Sequence, residues 1–183
     1  MADIPERRPS LLNVRFVTLV GITLTAAATR LLPHPPNFTP VGGASLFAGA
    51  RLPGWLAYLL PILVMAATDP LVGGYSRSTP YVYASFLISV WIGRRLRATE
   101  NPIRIGGAAL LCSLQFFFLT NFGVFLRAYP HTLDGFMKCY ALALPFFGRT
   151  LAGDLITTAV LFGLHAWLTR AVYPPERVAL AQA

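Results

Sequence analysis

Arg30, His34, Asn37 and Phe38 place a cation, an imidazole, an amide and an aromatic ring within one proline-rich stretch, residues 30–40. Four of the chain's 15 prolines fall in this stretch. Proline fixes φ, lacks a backbone donor and disfavours a helical conformation of the preceding residue. The stretch therefore predicts a rigid, non-helical loop. Such a loop could present its polar groups to a ligand, or it could simply reverse the chain between two apolar runs.

Two carboxylates, Asp69 and Asp154, lie at or within apolar runs. An ionisable group inside a membrane span is costly and is therefore a candidate functional residue. Each also has a structural alternative. Asp154 could pair with Arg149 or Arg30, whereas Asp69 could cap its helix or pair with Arg77.

Aromatic side chains crowd around the irregular segments of the sequence. Together with a few polar groups they suit an apolar pocket for a flat, ring-containing small molecule, with Asn37 and Asn121 supplying directional hydrogen bonds. Arg127 would meet an anionic group if the ligand has one. The candidate substrate-binding residues are His34, Asn37, Phe38, Asp69, Tyr75, Asn121, Arg127, Tyr140, Phe146 and Asp154.

Metal and enzyme chemistry find little support in the residue patterns. His34 and His131 could hold a metal or ligate one in a cofactor, but no third ligand accompanies them. The two cysteines lack a metal-binding spacing. The sequence contains no nucleophile–base pair, phosphate-cradling glycine loop or HExxH motif. We therefore expect no catalytic residue, no resident metal and no cofactor, and the chain is not expected to be an enzyme.

The composition indicates an integral membrane protein. Of 183 residues, 55% are hydrophobic and only 12% are charged, whereas a soluble domain carries about 25% charged residues. Cations outnumber acids by 15 to 7. They lie mostly at the ends of apolar runs rather than along one basic face, which favours a membrane-topology signal over nucleic-acid binding.

Six apolar runs predict an all-α membrane protein with a six-transmembrane-helix bundle. A bilayer span needs about 20 residues. The predicted helices cover approximately residues 12–32, 41–50, 55–68, 81–93, 105–121 and 149–171. The second run is short and rich in glycine and alanine, which predicts a tilted or protein-buried helix. Three irregular segments separate the helices, at residues 30–40, 69–80 and 122–147. The last of them ends in an apolar patch at residues 140–147, where a short helix broken by Pro145 is expected.

The arginine distribution predicts the orientation. With six helices both termini lie on one side, where ten cations fall, against five on the other. The positive-inside rule then places both termini in the cytoplasm and the three irregular segments together on the outer face. We predict a multi-pass protein of the bacterial inner (cytoplasmic) membrane, with a cytoplasmic tail at 1–11, a single membrane domain at 12–173 and a second tail at 174–183.

Small residues recur at helical spacing in the first predicted helix, at Gly21, Thr25 and Thr29. Such a stripe permits close approach of another helix. That helix could belong to the same chain or to a separate membrane partner.

Three short motifs carry a family resemblance that spans roughly residues 12–171. They are Pro-Asn-Phe-Thr-Pro at 36–40, Thr-Asp-Pro-Leu-Val-Gly-Gly-Tyr at 68–75, and Leu-Pro-Phe-Phe at 144–147 followed by Gly-Asp-Leu at 153–155. In this order and spacing the chain resembles the S components of energy-coupling factor (ECF) transporters, specifically an uncharacterised branch of transport proteins.

This resemblance implies a six-helix protein that captures a vitamin or cofactor precursor from outside, between the outer loops and helices four to six. It also implies docking of the first three helices on a transmembrane coupling protein that two ATPases drive, without hydrolysis by the chain itself. One departure concerns docking, because the family often shows Ala-x-x-x-Ala where this chain has Gly21, Thr25 and Thr29.

Two alternative functions remain open at this point. The chain could be a structural or accessory subunit of a larger membrane complex that binds pigment or lipid, or an autonomous facilitator for a small molecule. In all three hypotheses membrane lipid surrounds the protein and nucleic acid is not a partner.

Overall fold

The chain folds into helices joined by short connections, and the all-α class expected from the sequence is confirmed. The computed structural model describes residues 11–33, 37–97 and 99–172. Within these ranges there are six α-helices and no strand. They are α1 (Leu11–Ala28), α2 (Val41–Arg51), α3 (Leu56–Val72), α4 (Thr79–Arg94), α5 (Pro102–Ala128) and α6 (Leu133–Ala171), with one 3₁₀ turn at Thr29–Leu31. His34 and, apart from Leu11, both predicted tails lie outside the described residues.

Two of the described helices, α5 and α6, are long and apolar enough to cross a membrane. They contain 27 and 39 residues, which correspond to about 40 and 58 Å at 1.5 Å per residue. The hydrocarbon core of a bilayer is about 30 Å thick. Both helices are therefore longer than a perpendicular span requires.

The segment 122–147, predicted to be irregular, is almost entirely helical. Helix α5 continues to Ala128, and α6 begins at Leu133 after Thr132, whose side chain accepts a hydrogen bond from the Gly135 amide at 3.1 Å. Pro145 lies inside α6 without ending it. The prediction was wrong because it treated a proline as a helix break, whereas neighbouring helices and local adjustment let long apolar helices accommodate one.

The segment 69–80 is also shorter than predicted. Helix α3 contains Pro70 and ends at Val72. Gly73 follows with φ 143°, a conformation that side chains with a Cβ rarely adopt. Only the residues between α3 and Thr79 are therefore irregular.

Helix α2 lies at the centre of the fold. Its ten residues from Val41 to Ala50 are all buried, and it packs against each of the other five helices. At 11 residues it is about 16 Å long, too short to span a bilayer. The prediction of a short, protein-buried helix is confirmed.

Glycines allow α2 and α4 to cross at backbone distance. A Cβ on Gly49 would overlap the carbonyl oxygen of Val90, and a Cβ on Gly93 would overlap that of Leu46. Each helix therefore places a glycine against a carbonyl group of the other. Small residues are the usual means of such close approach between helices in apolar surroundings.

This crossing predicts that Gly49→Ala destabilises the protein by about 2–3 kcal/mol, since the added methyl group forces the two backbones apart. Gly107→Ala is the matched control, because a Cβ at Gly107 meets no atom within 4 Å. Thermal or denaturant unfolding of both variants in detergent gives the comparison. Equal stability of the two variants would contradict the proposed crossing.

Candidate functional site

A cavity of about 240 Å³ lies where the loop after the 3₁₀ turn meets α4, α5 and α6. We call it the Asn121 cavity. Its walls combine hydroxyl and amide groups with phenyl rings and small aliphatic side chains. The lining residues are Asn37, Ser78, Val82, Phe116, Phe117, Thr120, Asn121, Val124, Ala143, Phe146, Phe147 and Thr150.

The loop is held over α6 by backbone contacts. The Thr150 hydroxyl donates a hydrogen bond to the Asn37 carbonyl at 3.1 Å. Asn37 has φ 64°, the left-handed region in which asparagine is enriched among non-glycine residues. A Cβ on Gly153 would lie 3.1 Å from the carbonyl oxygen of Thr39, so the loop backbone rests directly on the helix. These contacts bring Asn37 to the cavity.

Asn121 lies on α5, and its side-chain amide already makes one hydrogen bond within this helix. Its Nδ2 donates to the Phe117 carbonyl at 2.8 Å, one turn earlier. The neighbouring Thr120 hydroxyl donates to the Phe116 carbonyl at 2.8 Å. Phe117 packs against Phe147 of α6, with ring centroids 5.1 Å apart. The cavity thus combines oriented polar groups with an aromatic surface shared by two helices.

Asp154 lies below the contacts between the loop and α6, and its carboxylate stabilises the fold. It is 2% exposed. One carboxylate oxygen accepts a hydrogen bond from the Gly43 amide at 3.1 Å, and the other accepts from the Ser113 hydroxyl at 2.7 Å. Gly43 belongs to the first turn of α2, whose amides lack intrahelical partners. Asp154 therefore caps α2 from a distant helix and pairs with neither Arg149 nor Arg30, the two partners considered from the sequence.

Asp69 forms the ion pair that anchors the start of the loop. Arg30 lies 2.8 Å from one carboxylate oxygen, and the Tyr83 hydroxyl donates to the other at 2.7 Å. Arg30 also donates to the Thr68 hydroxyl at 2.8 Å. The pairing with Arg77 considered from the sequence is wrong, because the guanidinium nearest to Asp69 comes from the loop base.

Only some of the candidate binding residues proposed from the sequence line the Asn121 cavity. Three of them, Asn37, Asn121 and Phe146, line the cavity. Six others lie outside the lining: Phe38, Asp69, Tyr75, Arg127, Tyr140 and Asp154. Whether any of these residues binds a ligand stays a prediction.

Two of the outlying aromatics have clear alternative contacts. Tyr75 is 61% exposed, and its hydroxyl donates to the Ala66 carbonyl at 2.8 Å. The Tyr140 hydroxyl donates to the Phe118 carbonyl at 2.7 Å. Arg127 is exposed at the end of α5. The hydroxyl groups of both tyrosines are therefore paired with backbone carbonyls and not with another candidate residue.

Several lining residues were missed by sequence reasoning, namely Ser78, Phe116, Phe117, Thr120 and Thr150. A signal existed for some of them in the helical spacing. Phe117 and Asn121 lie four residues apart on α5, as do Phe146 and Thr150 on α6, and residues at this spacing share a helix face. Treating 122–147 as irregular concealed the second pair.

The stripe Gly21, Thr25 and Thr29 is exposed. A Cβ on Gly21 would meet no atom within 4 Å. The described part of the chain therefore does not cover this stripe, and the internal-packing alternative finds no support there. Docking of a partner on the stripe stays a prediction.

The residues considered for metal binding are not gathered into a cluster. Within the ranges that the structure describes, no three His, Cys, Asp or Glu side chains are close enough to hold a metal ion. A ring nitrogen of His131 lies 3.1 Å from the Leu126 carbonyl oxygen, at hydrogen-bonding distance.

A larger groove of about 530 Å³ lies between α5 and α6 near the end of α2. We call it the Arg51 groove. Arg51 donates to the Leu96 and Thr99 carbonyls at 3.2 and 3.1 Å, and its guanidinium lies over the Phe162 ring. The remaining lining is mostly apolar, and none of the sequence-derived candidates contributes to it.

These observations define an all-helical protein with two helices of membrane-spanning length and a small cavity lined by amides, hydroxyls and phenyl rings. The chain belongs to the family of unknown function DUF6580, whose family model matches residues 10–177. Comparison with curated proteins and with solved structures found no match.

The Asp69–Arg30 pair predicts that Asp69→Asn lowers the free energy of unfolding by about 3 kcal/mol, because it leaves a largely buried guanidinium without its counter-charge. Arg77→Gln is the control, since Arg77 is exposed and has no ion-pair partner among the described residues. Denaturant unfolding in detergent compares the two. A similar small loss in both variants would show that the pair contributes little.

The capping role of Asp154 predicts different losses for two substitutions. Asp154→Asn retains an acceptor for the Gly43 amide and should cost about 1 kcal/mol. Asp154→Ala leaves the buried Gly43 amide unpaired and the Ser113 hydroxyl with only the Ala109 carbonyl at 3.3 Å, and should cost about 3 kcal/mol. Thermal unfolding gives the order of stability. If both variants were as stable as the wild type but lost a co-purifying ligand, Asp154 would act on the ligand instead.

Proposed function

We propose that the chain is the substrate-binding membrane subunit of an uptake system for a small vitamin or cofactor precursor. The Asn121 cavity is the observation that carries this proposal. It lies between the proline-rich loop and helices α4, α5 and α6, the region in which the sequence resemblance to ECF S components implies substrate capture. In this proposal the chain forms a six-helix bundle in the bacterial cytoplasmic membrane, in which the other helices enclose the short α2.

The wall chemistry supports capture of a small molecule. Binding sites for small molecules are concave, mostly apolar and equipped with a few placed polar groups. The cavity has this composition, with four phenyl rings and the amides of Asn37 and Asn121. The loop is held at its base by the Arg30–Asp69 pair and near its end by the bond from Thr150 to Asn37. A pocket with such fixed walls loses little conformational entropy when a ligand binds.

Orientation follows from the charge distribution. The ten cations at one surface, against five at the other, would face the cytoplasm under the positive-inside rule. The loop and the Asn121 cavity would then lie on the outer side, where an external nutrient arrives. The lengths of α5 and α6 agree with this membrane placement.

Energy for uptake would come from a partner in this proposal. The exposed stripe Gly21, Thr25 and Thr29 offers a surface of small residues on which a transmembrane coupling protein with two ATPases could dock. The chain itself would bind and release its substrate without catalysing a reaction.

A second candidate function rests on the Arg51 groove. This groove is larger than the Asn121 cavity and mostly apolar, and it lies between the two helices of membrane-spanning length. Such a surface favours a structural or accessory subunit that holds lipid within a larger membrane complex. The two candidates differ in which cavity carries the ligand.

Native mass spectrometry of the detergent-purified protein, with identification of the co-purifying molecule, tests the choice. We expect a stoichiometric small molecule that is lost from Asn121→Leu and Phe146→Ala. Phe118→Ala is the matched control, because Phe118 is 56% exposed and lies outside the cavity lining. A protein that carries only lipid, unchanged by the Asn121 and Phe146 substitutions, would reject capture and favour the structural subunit.

A further inference from the structure

We infer that the ligand of the Asn121 cavity is a small, uncharged ring compound that presents hydrogen-bond donors. This inference rests on the proposed capture function and goes beyond it by naming the chemical class. Three observations support it: the charge of the lining residues, the hydrogen bonds that their side chains already make, and the volume of the cavity.

The first observation is the charge of the lining. The twelve lining residues that the structure describes all have uncharged side chains, of types Asn, Ser, Thr, Phe, Val and Ala. A charged group that enters such a cavity loses its hydration and meets no opposite charge, which is strongly unfavourable. The lining therefore disfavours carboxylates, phosphates and ammonium groups in the part of the ligand that is enclosed.

The two carboxylates considered from the sequence, Asp154 and Asp69, are occupied by groups of the protein. Both carboxylate oxygens of Asp154 accept hydrogen bonds, from Gly43 and Ser113, although this residue is only one turn from Thr150. Asp69 is paired with Arg30. The role that the sequence suggested for Arg127, pairing with an anionic ligand, is not met by the cavity, because Arg127 lies outside the lining.

The second observation is the set of hydrogen bonds that the polar side chains of the lining make within the protein. The Asn121 Nδ2 and the hydroxyl groups of Thr120 and Thr150 all donate to backbone carbonyls. A carbonyl can only accept, so these bonds fix which atom of each side chain is the donor. The Asn121 Oδ1 keeps its acceptor capacity, since no described residue donates a hydrogen bond to it. A ligand group that pairs with the Asn121 Oδ1 must therefore supply an N–H or O–H group. The Ser78 hydroxyl, which is buried and has no hydrogen-bond partner among the described residues, can donate to an acceptor on the same ligand.

The third observation is the volume. At about 240 Å³ the cavity is smaller than the common range for drug-sized ligands, which begins at about 300 Å³. Phe116, Phe117, Phe146 and Phe147 contribute flat surfaces to it. A single aromatic or heteroaromatic ring with a short polar substituent fits these limits. A macrocyclic cofactor that contains a metal does not.

Three series of ring compounds test this class against full-length protein in detergent. Benzoate is isosteric with benzamide but charged, whereas N,N-dimethylbenzamide is neutral, lacks both donors and carries two additional methyl groups. The corresponding pyridine-3-carboxamides and indole-3-carboxamides extend the comparison. We expect the primary carboxamides to bind at least about tenfold more tightly than the dimethyl or carboxylate members of the same series. Equilibrium dialysis measures affinity, and thermal shift provides an independent readout.

A charge substitution gives a reciprocal test. Asn121→Asp should weaken benzamide binding and create binding of the cation benzamidinium, which the wild type should reject. Asn101→Asp is the matched control: Asn101 caps α5 by accepting from the Ile103 and Arg104 amides, and aspartate caps helices as well as asparagine does. That variant should retain the wild-type preference.

The outcomes separate this inference from the proposed function. A carboxylate that binds as tightly as its carboxamide, or a charged ring compound found by native mass spectrometry and lost from Asn121→Leu, would overturn the uncharged class while capture stands. Equal binding of the dimethyl compounds would overturn the donor requirement. Failure of every probe, together with a purified protein that holds no small molecule, would overturn both.

Discussion

The architecture depends on the close backbone approach of α2 to the helices around it. Gly49 faces a carbonyl of α4, Gly93 of α4 faces a carbonyl of α2, and a Cβ on Gly42 would overlap the Asp154 carboxylate. Larger side chains would separate these helices. Helices α4 and α6 also line the Asn121 cavity, whereas α2 contributes no described lining residue. The glycine contacts of α2 therefore set the positions of helices that line the cavity, although α2 itself does not.

The buried charged side chains stabilise the fold, whereas the described side chains that line the cavity are neutral. Asp154 completes the first turn of α2, and Asp69 holds the loop base through Arg30. A buried carboxylate needs several donors before it is tolerated in apolar surroundings. Once those donors are supplied by the protein, the carboxylate is poorly placed to recognise a ligand. This division explains why the two acidic residues most prominent in the sequence lie outside the cavity lining.

Some features of the fold and of the cavity could be predicted from the sequence, and others could not. The non-helical course of the described loop residues 37–40 and the short buried α2 agree with expectations from local chemistry. Asn37, Asn121 and Phe146, which the sequence offered as candidate binding residues, line one cavity. The helical course of 122–147 did not follow, because a proline in a packed apolar helix costs less than it does in water. Thr150 was missed because Phe146, its neighbour on the same helix face, was assigned to an irregular segment.

The sequence by itself determined the helical class, the apolar composition and the position of the proline-rich segment between the first two helices. These properties depend on composition and on neighbouring residues, such as prolines within eight positions of one another. Only the tertiary structure decided that Asp154 caps Gly43, 111 positions away, and that Asp69 pairs with Arg30, 39 positions away. Several cations and amides could satisfy each carboxylate equally well in sequence terms. The choice among them requires the packing of α2, which sets the distances between helices that are remote in the chain.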